Sequence, residues 1–210
     1  MENSKFDRRI KYTKKALRQS LLTLMEQKDI QKITVKELCE LADINRGTFY
    51  AHYYDPQDLL QQIEDELYSQ LENALTQITE RPIDSRIAIP SSLFKETFEC
   101  FADNRDVCRI LFGEHGDTKF LDRIASIEKT RYLKEWQTIS GIQDPIQIEY
   151  LNSFVLSGCI GILRCWAKNG MRESAEQMAS IAERVIMSGL ATSTMEKQMG
   201  KYVLKTNAVK

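Results

Sequence analysis

Seven side chains between positions 34 and 52 can donate hydrogen bonds: Thr34, Lys36, Asn45, Arg46, Thr48, Tyr50 and His52. They gather at the starts of two short apolar-periodic segments and along the second. Donors placed around helix N-termini suit an anionic polymer, because unsatisfied backbone N–H groups and the helix dipole add to the side chains in holding phosphate. The chemistry this pattern offers is recognition rather than bond-making. The chain has two histidines, His52 and His115, with no Ser/His/Asp grouping, no metal-ligand spacing and no Gly-rich phosphate loop, so no catalytic role, metal or cofactor is expected. Five cysteines (Cys39, Cys100, Cys108, Cys159, Cys165) form no CxxC pair and sit in apolar-periodic segments, where they read as reduced core thiols.

The charge distribution supports an anionic partner. The net charge of the 210 residues is −1, but residues 1–54 carry 11 Lys+Arg against 7 Asp+Glu, while residues 55–210 carry 18 against 23. The positive end is therefore the N-terminal one, with Lys5, Arg8, Arg9, Lys11, Lys14, Lys15 and Arg18 crowded together. A cytoplasmic location is expected, since the charged start lacks a signal-like apolar stretch. The most apolar window, Phe154 to Leu163, is short of the roughly 20 residues a spanning helix needs, so no membrane role is expected.

These donors must be positioned by helices. The prolines stand at 56, 82, 90 and 145, and between them apolar residues recur at three and four, so the protein reads as all-α. A first helix over Lys11 to Gln27 puts Ala16, Leu17, Leu21, Leu24 and Met25 on one stripe. Thr34 caps a helix from Val35 to Ala42, with Glu37 placed to reach back to the cap. Asp43, Ile44 and Asn45 interrupt it, and a second short helix runs from Arg46 to His52. Val35, Leu38, Cys39, Ala42, Ile44, Phe49 and Tyr53 can make one small core with the first helix. Asp55, Pro56 and Asp58 open a long helix to about Thr79. Further helices are expected over Leu93–Asn104, Asp106–Phe112, Lys119–Ser140, Ile146–Asn169 and Ser174–Ser193.

The run from Thr34 to Leu59, with Thr34-Val35, Leu38-Cys39, Asn45-Arg46-Gly47-Thr48-Phe49-Tyr50 and Tyr53-Tyr54-Asp55-Pro56 at the expected spacings, resembles the helix-turn-helix of TetR-type transcriptional regulators. The resemblance covers about residues 11 to 65. It implies an N-terminal three-helix DNA-binding domain (1–58), a helical ligand-sensing and dimerisation domain (59–193) and a C-terminal tail (194–210). It further implies that Arg46 to Ala51 read base edges of double-stranded DNA, and that Thr34, Lys36, Gly47, Thr48, Tyr50 and His52 hold phosphates, with Asn45 and Arg46 at the entrance. Two positions depart from the pattern: Asp43 replaces the usual turn glycine, and Pro56 replaces a frequent lysine.

In the second part, Phe94, Phe98, Phe101, Tyr132, Trp136 and Phe154 are the expected lining of a pocket for a small apolar effector. The segment Ile146 to Asn169 is apolar on all sides and calls for cover from a second subunit. Gly158, Gly161, Ile162 and Cys165, with Ala182, Val185, Ile186 and Gly189 on the final helix, are the expected interface of a four-helix homodimer contact. The implied function is a ligand-responsive repressor binding a palindromic operator as a homodimer. The alternative is an adaptor or coactivator of the same fold that binds a protein, and the retained Arg46, Thr48 and Tyr50 argue against it.

Overall fold

The computed structural model describes residues 2–79, 89–113, 116, 118–131 and 142–188, and among them there are helices and turns but no strand. In chain order the elements are α1 (Glu2–Met25), a 3-10 turn (Ile30–Lys32), α2 (Val35–Ala42), α3 (Arg46–Tyr50), α4 (Pro56–Thr79), α5 (Ile89–Asp103), α6 (Arg105–Leu111), α7 (Thr118–Arg131), α8 (Pro145–Lys168) and α9 (175–188).

The helix starts follow from side chains that satisfy free backbone N–H groups. Thr34 and Glu37 form a reciprocal capping box on α2. Asp58 N–H donates to Asp55 Oδ1 at 2.8 Å and Tyr54 N–H donates to Asp58 Oδ2 at 2.9 Å, so Pro56 enters α4 with its missing donor costing nothing. Ser174 and Gln177 cap α9 in the same reciprocal way. α8 ends in a Schellman turn: Met171 N–H donates to Trp166 O and Gly170 N–H to Ala167 O, with Gly170 at φ 75° and the buried Met171 at φ 50°. Arg105 donates to the carbonyls of Gly170 and Met171 and locks that turn onto the start of α6.

α1 begins nine residues earlier than the apolar period predicts. Its first turns carry no apolar stripe, and the Lys, Arg and Glu residues there have good helix propensity without one. Leu17, Leu21 and Met25 close one end of the core over Leu38, Cys39, Phe49 and Tyr53. This core is continuous with a longer one, in which Leu59, Ile63, Leu67, Leu71 and Leu75 run down α4 and meet Phe94, Phe98 and Phe101 of α5. Two edge-on aromatic pairs fix the registers there, Phe98 with Trp166 at 5.7 Å and Phe101 with Phe112 at 5.2 Å.

α4 is shared between the two ends of the molecule. Arg18 of α1 pairs with its Glu66, and Arg123 of α7 pairs with its Asp65 while lying 4.2 Å over the Tyr68 ring. The Arg123 guanidinium holds the Asp65 carboxyl below the usual carboxylate range.

Candidate nucleic-acid interface

α3 is a five-residue helix and owes its position to its two ends and one anchor. Asn45 is its N-cap: the Oδ1 accepts from Thr48 N–H at 2.8 Å and from Thr48 Oγ1 at 3.1 Å. Phe49 is fully buried and holds Tyr50 edge-on at 5.6 Å and Tyr53 at 5.7 Å. Between α2 and α3 the chain turns on Asp43 at φ 54°, ψ 48°, and Ile44 N–H reaches back to Cys39 O at 3.0 Å. An aspartate therefore occupies the left-handed position where a glycine is usual. A Cβ on Gly47 would stand 3.3 Å from the capping Asn45 Oδ1, so the glycine keeps the α3 cap uncrowded.

With α3 seated this way, Arg46, Gly47, Tyr50 and Ala51 are exposed, and Thr48 and His52 are half-buried. Lys36 and Arg46 share one cleft of about 380 Å³ with Asn45 and Asp43, which joins the outer face of α2 to the α3 entrance. Lys36 is held only by an exposed pair with Glu40 at 3.8 Å, an interaction weak enough to give up for another anion. The structure thus brings all nine expected positions to the α2–α3 unit but divides their work. Thr34 and Asn45 already use their side-chain oxygens as caps, and Thr48 Oγ1 is engaged by Asn45, so these three shape the site while Lys36, Arg46 and Tyr50 project from it. Tyr54, which the donor pattern does not single out, is 88% exposed beside His52. Its signal in the sequence is the Tyr53-Tyr54 doublet, of which only the first ring is core.

Glu40 and Asp43 line the cleft with Lys36 and Arg46, and Glu37 stands one turn back at the α2 cap. Lys28 and Thr34 take its carboxylate, and these hydrogen bonds pull its pKa down to about 2. Its charge is therefore balanced within the turn.

The second part corrects several expectations. Phe94, Phe98 and Phe101 do line a narrow apolar cavity, together with Thr97 and residues of α7 and α8. Phe154 does not: it is 70% exposed. It stands in line with Ile146, Tyr150, Gly158, Gly161 and Cys165 at spacings of three and four, on the face of α8 opposite Val155 and Leu163. Among the described residues, α8 is thus covered on one side only. Of the expected interface, Gly158, Gly161, Cys165 and Val185 are exposed and Ile162 is half-buried. Ala182 (0% exposed) and Ile186 (6%) are instead core residues of their own chain, because the last helix turns that face inward. Cys165 is an exposed thiol rather than a core one, whereas burial pushes the pKa of Cys100 up to about 11 and that of Cys108 well above its usual value. α8 is also, by length and composition, apolar enough to cross a membrane, which the ten-residue window misses because the helix extends that run in both directions. Tyr132, Trp136, Gly189 and His115 lie outside the described residues.

Comparison with known proteins gives three findings. Residues 90–188 match a TetR-type family described as a transcriptional regulator C-terminal region. A stretch of 59 residues is 34% identical to YxbF, an uncharacterized HTH-type transcriptional regulator of Bacillus subtilis (strain 168), and that match spans 28% of this chain but 16% of the relative. Among solved structures, a TetR transcriptional regulator from Streptococcus agalactiae 2603V is 23% identical with a TM-score of 0.58, covering 88% of this chain and 98% of that one. A putative TetR-family regulator from Syntrophomonas wolfei str. Goettingen superposes with a TM-score of 0.66 at 15% identity, over 86% and 96% of the two chains. FadR from Bacillus subtilis, solved in complex with stearoyl-CoA, matches at 14% identity and a TM-score of 0.58, over 83% and 97%. The helix-turn-helix of α2 and α3 and the architecture as a whole are thus similar to those of TetR-type transcriptional regulators, and residues 90–188 carry the match to the C-terminal region of that kind of regulator.

Proposed function

We propose that this protein is a sequence-specific DNA-binding regulator that acts as a homodimer and represses until an effector releases it. The observation that carries the reading is the division of labour in the α2–α3 unit. Capping residues satisfy the helix ends internally, which leaves Arg46, Tyr50 and Lys36 free to face a duplex along one surface. In helix-turn-helix geometry a helix as short as α3 reaches few base pairs, so useful specificity calls for two copies on a near-palindrome. The domain division at about residue 58, with α4 continuing into the effector part, belongs to the same reading, as do a cytoplasmic location and the absence of a catalytic role.

The homodimer rests on the uncovered stripe of α8. Ile146, Tyr150 and Phe154 are 62%, 72% and 70% exposed along one face of α8, and Val185 of α9 is 61% exposed, and a line of exposed apolar side chains marks a contact surface. Ser153, Ser157 and Arg164 interrupt that face, and Glu149 lies beside Tyr150, which suits a protein contact better than lipid.

The test is a binding-site selection on the purified protein, followed by titration of Arg46→Ala and Lys36→Ala. If Arg46 reads a guanine edge, its loss relaxes preference at one base pair per half-site and costs about 1–3 kcal/mol there. Lys36→Ala should weaken all sequences alike and reduce the log-log salt slope by about 0.9 per half-site. A wild-type protein that selects no sequence would overturn the reading.

A further inference from the structure

Thr97 stands in the middle of α5 between Phe94, Phe98 and Phe101, and is 9% exposed. Its Oγ1 is buried and has no hydrogen-bond partner. A threonine inside a helix ordinarily returns its hydroxyl to a carbonyl one turn back, and this one does not. Left unmet, such a group costs the chain its desolvation, so it is an expense the folded protein carries without return.

Thr97 lines the narrow cavity between α5, α7 and α8. Its free volume is about 20 Å³, close to that of one water. A water is a poor occupant, because buried waters need two to four polar partners. Thr97 and the Cys159 thiol are the only polar side chains among the described lining, and none of that lining is charged.

We propose that Thr97 is the polar recognition point of the effector site, and that the effector is an uncharged, mainly apolar molecule with a single hydroxyl or carbonyl group directed at Thr97 Oγ1. This inference rests on the effector-responsive reading above and names its ligand class. A carboxylate or phosphate would enter a described lining with no cation to meet it, and an unpaired buried charge costs far more than an unpaired hydroxyl. A pure hydrocarbon would leave the Thr97 group as it is. The ligand must part α5 from α8, where Leu156, Cys159 and Ile160 are only half-buried. α5 passes through Asn104 directly into α6, and α6 packs on α1, so that movement reaches the DNA-binding helices.

The experiment measures binding of three probes of one shape, para-butylphenol, butylbenzene and para-butylbenzoate, to the full chain by calorimetry and by their shift of the melting temperature. Operator affinity is measured on the same samples. The phenol should bind about tenfold tighter than the hydrocarbon, and the benzoate weakest. Thr97→Val, which keeps the shape and removes the hydroxyl, should bring phenol and hydrocarbon to equal affinity. It should also raise the melting temperature of the free protein, while Thr97→Ser restores the preference. The proposal is overturned if Thr97→Val still prefers the phenol, if it melts lower than wild type, if the benzoate binds as tightly as the phenol, or if no probe binds. In each of these cases intact operator binding leaves the DNA-binding reading standing, whereas a wild-type chain that binds no operator overturns that reading separately.

Discussion

Gly161→Glu separates the fold of the chain from its assembly, because the two effects have opposite signs. In the single chain Gly161 is exposed in the interior of α8, and a Cβ there meets nothing within 4 Å. Glycine inside a helix costs about 0.5–1 kcal/mol relative to alanine, and glutamate is a good helix former, so the isolated chain should gain a few tenths of a kcal/mol. In a twofold dimer built on the α8 stripe, the same change places one carboxylate from each subunit in the contact, with Arg164, three residues further on, as the cation nearest in sequence. Two buried carboxylates at about 3 kcal/mol each, partly offset by Arg164, should weaken dimerisation by roughly three to four orders of magnitude. Sedimentation equilibrium reads the association and thermal unfolding reads the fold. The expected result is a monomer that melts cooperatively and has lost operator affinity. A Gly161→Glu protein that remains dimeric with full operator affinity would refute the assignment of this stripe to the interface.

Three further perturbations test other parts of the argument. Ala182→Glu puts a charge into a fully buried position of the chain's own core, so it should lose the cooperative melt itself, by circular dichroism or calorimetry, rather than yield a folded monomer. Asn45→Ala removes the α3 cap and should cost about 1 kcal/mol, seen as a fall of about 2–4 °C in melting temperature together with weaker operator binding; an unchanged melt would mean the cap is dispensable. Glu37 has a folded pKa lowered from 4.5 to about 2, so its contribution is complete above the unfolded value and is lost as the pH falls toward the folded one. Wild type should therefore outlast Glu37→Gln at neutral pH, and the gap between their melting temperatures should close as acid is added; a gap constant down to pH 2 contradicts the cap's ionic character.

The α2–α3 unit was legible because local chemistry decides it. Thr34 with Glu37, Asn45 with Thr48, and Asp55 with Pro56 and Asp58 are short-range signals, and each does in the fold what its spacing predicts. The left-handed Asp43 is the one local irregularity, and it falls where the turn demands it. The α8–α9 region was less legible. A helix apolar all round says that it must be covered, but the faces of Phe154 and Ala182 depend on which side its own domain claims, and that is decided by α5 and α7 far away in sequence. Thr97 was invisible for a related reason. One hydroxyl in a phenylalanine stripe does not break the helical period, and only the tertiary surroundings show that it has no partner. The early start of α1 and the 3-10 turn at Ile30–Lys32 escaped because neither has an apolar repeat to detect.

The two arginines that grip α4 have a mechanical consequence. Glu66 and Asp65 are neighbours, so the helix is held by one part of the molecule and by the other at nearly the same height, about 15 Å from its start at Pro56 and about 20 Å from its end at Thr79. A rigid rod pinned near its middle is a see-saw. A tilt that carries the Thr79 end sideways by about 2 Å carries the Pro56 end the other way by about 1.5 Å. In the proposed regulator, a tilt of this size would be enough to spoil a fit made on the scale of hydrogen bonds. The two ion pairs mark the level of that pivot, and the buried leucines on either side of it, Leu59 to Leu75, hold the rod there.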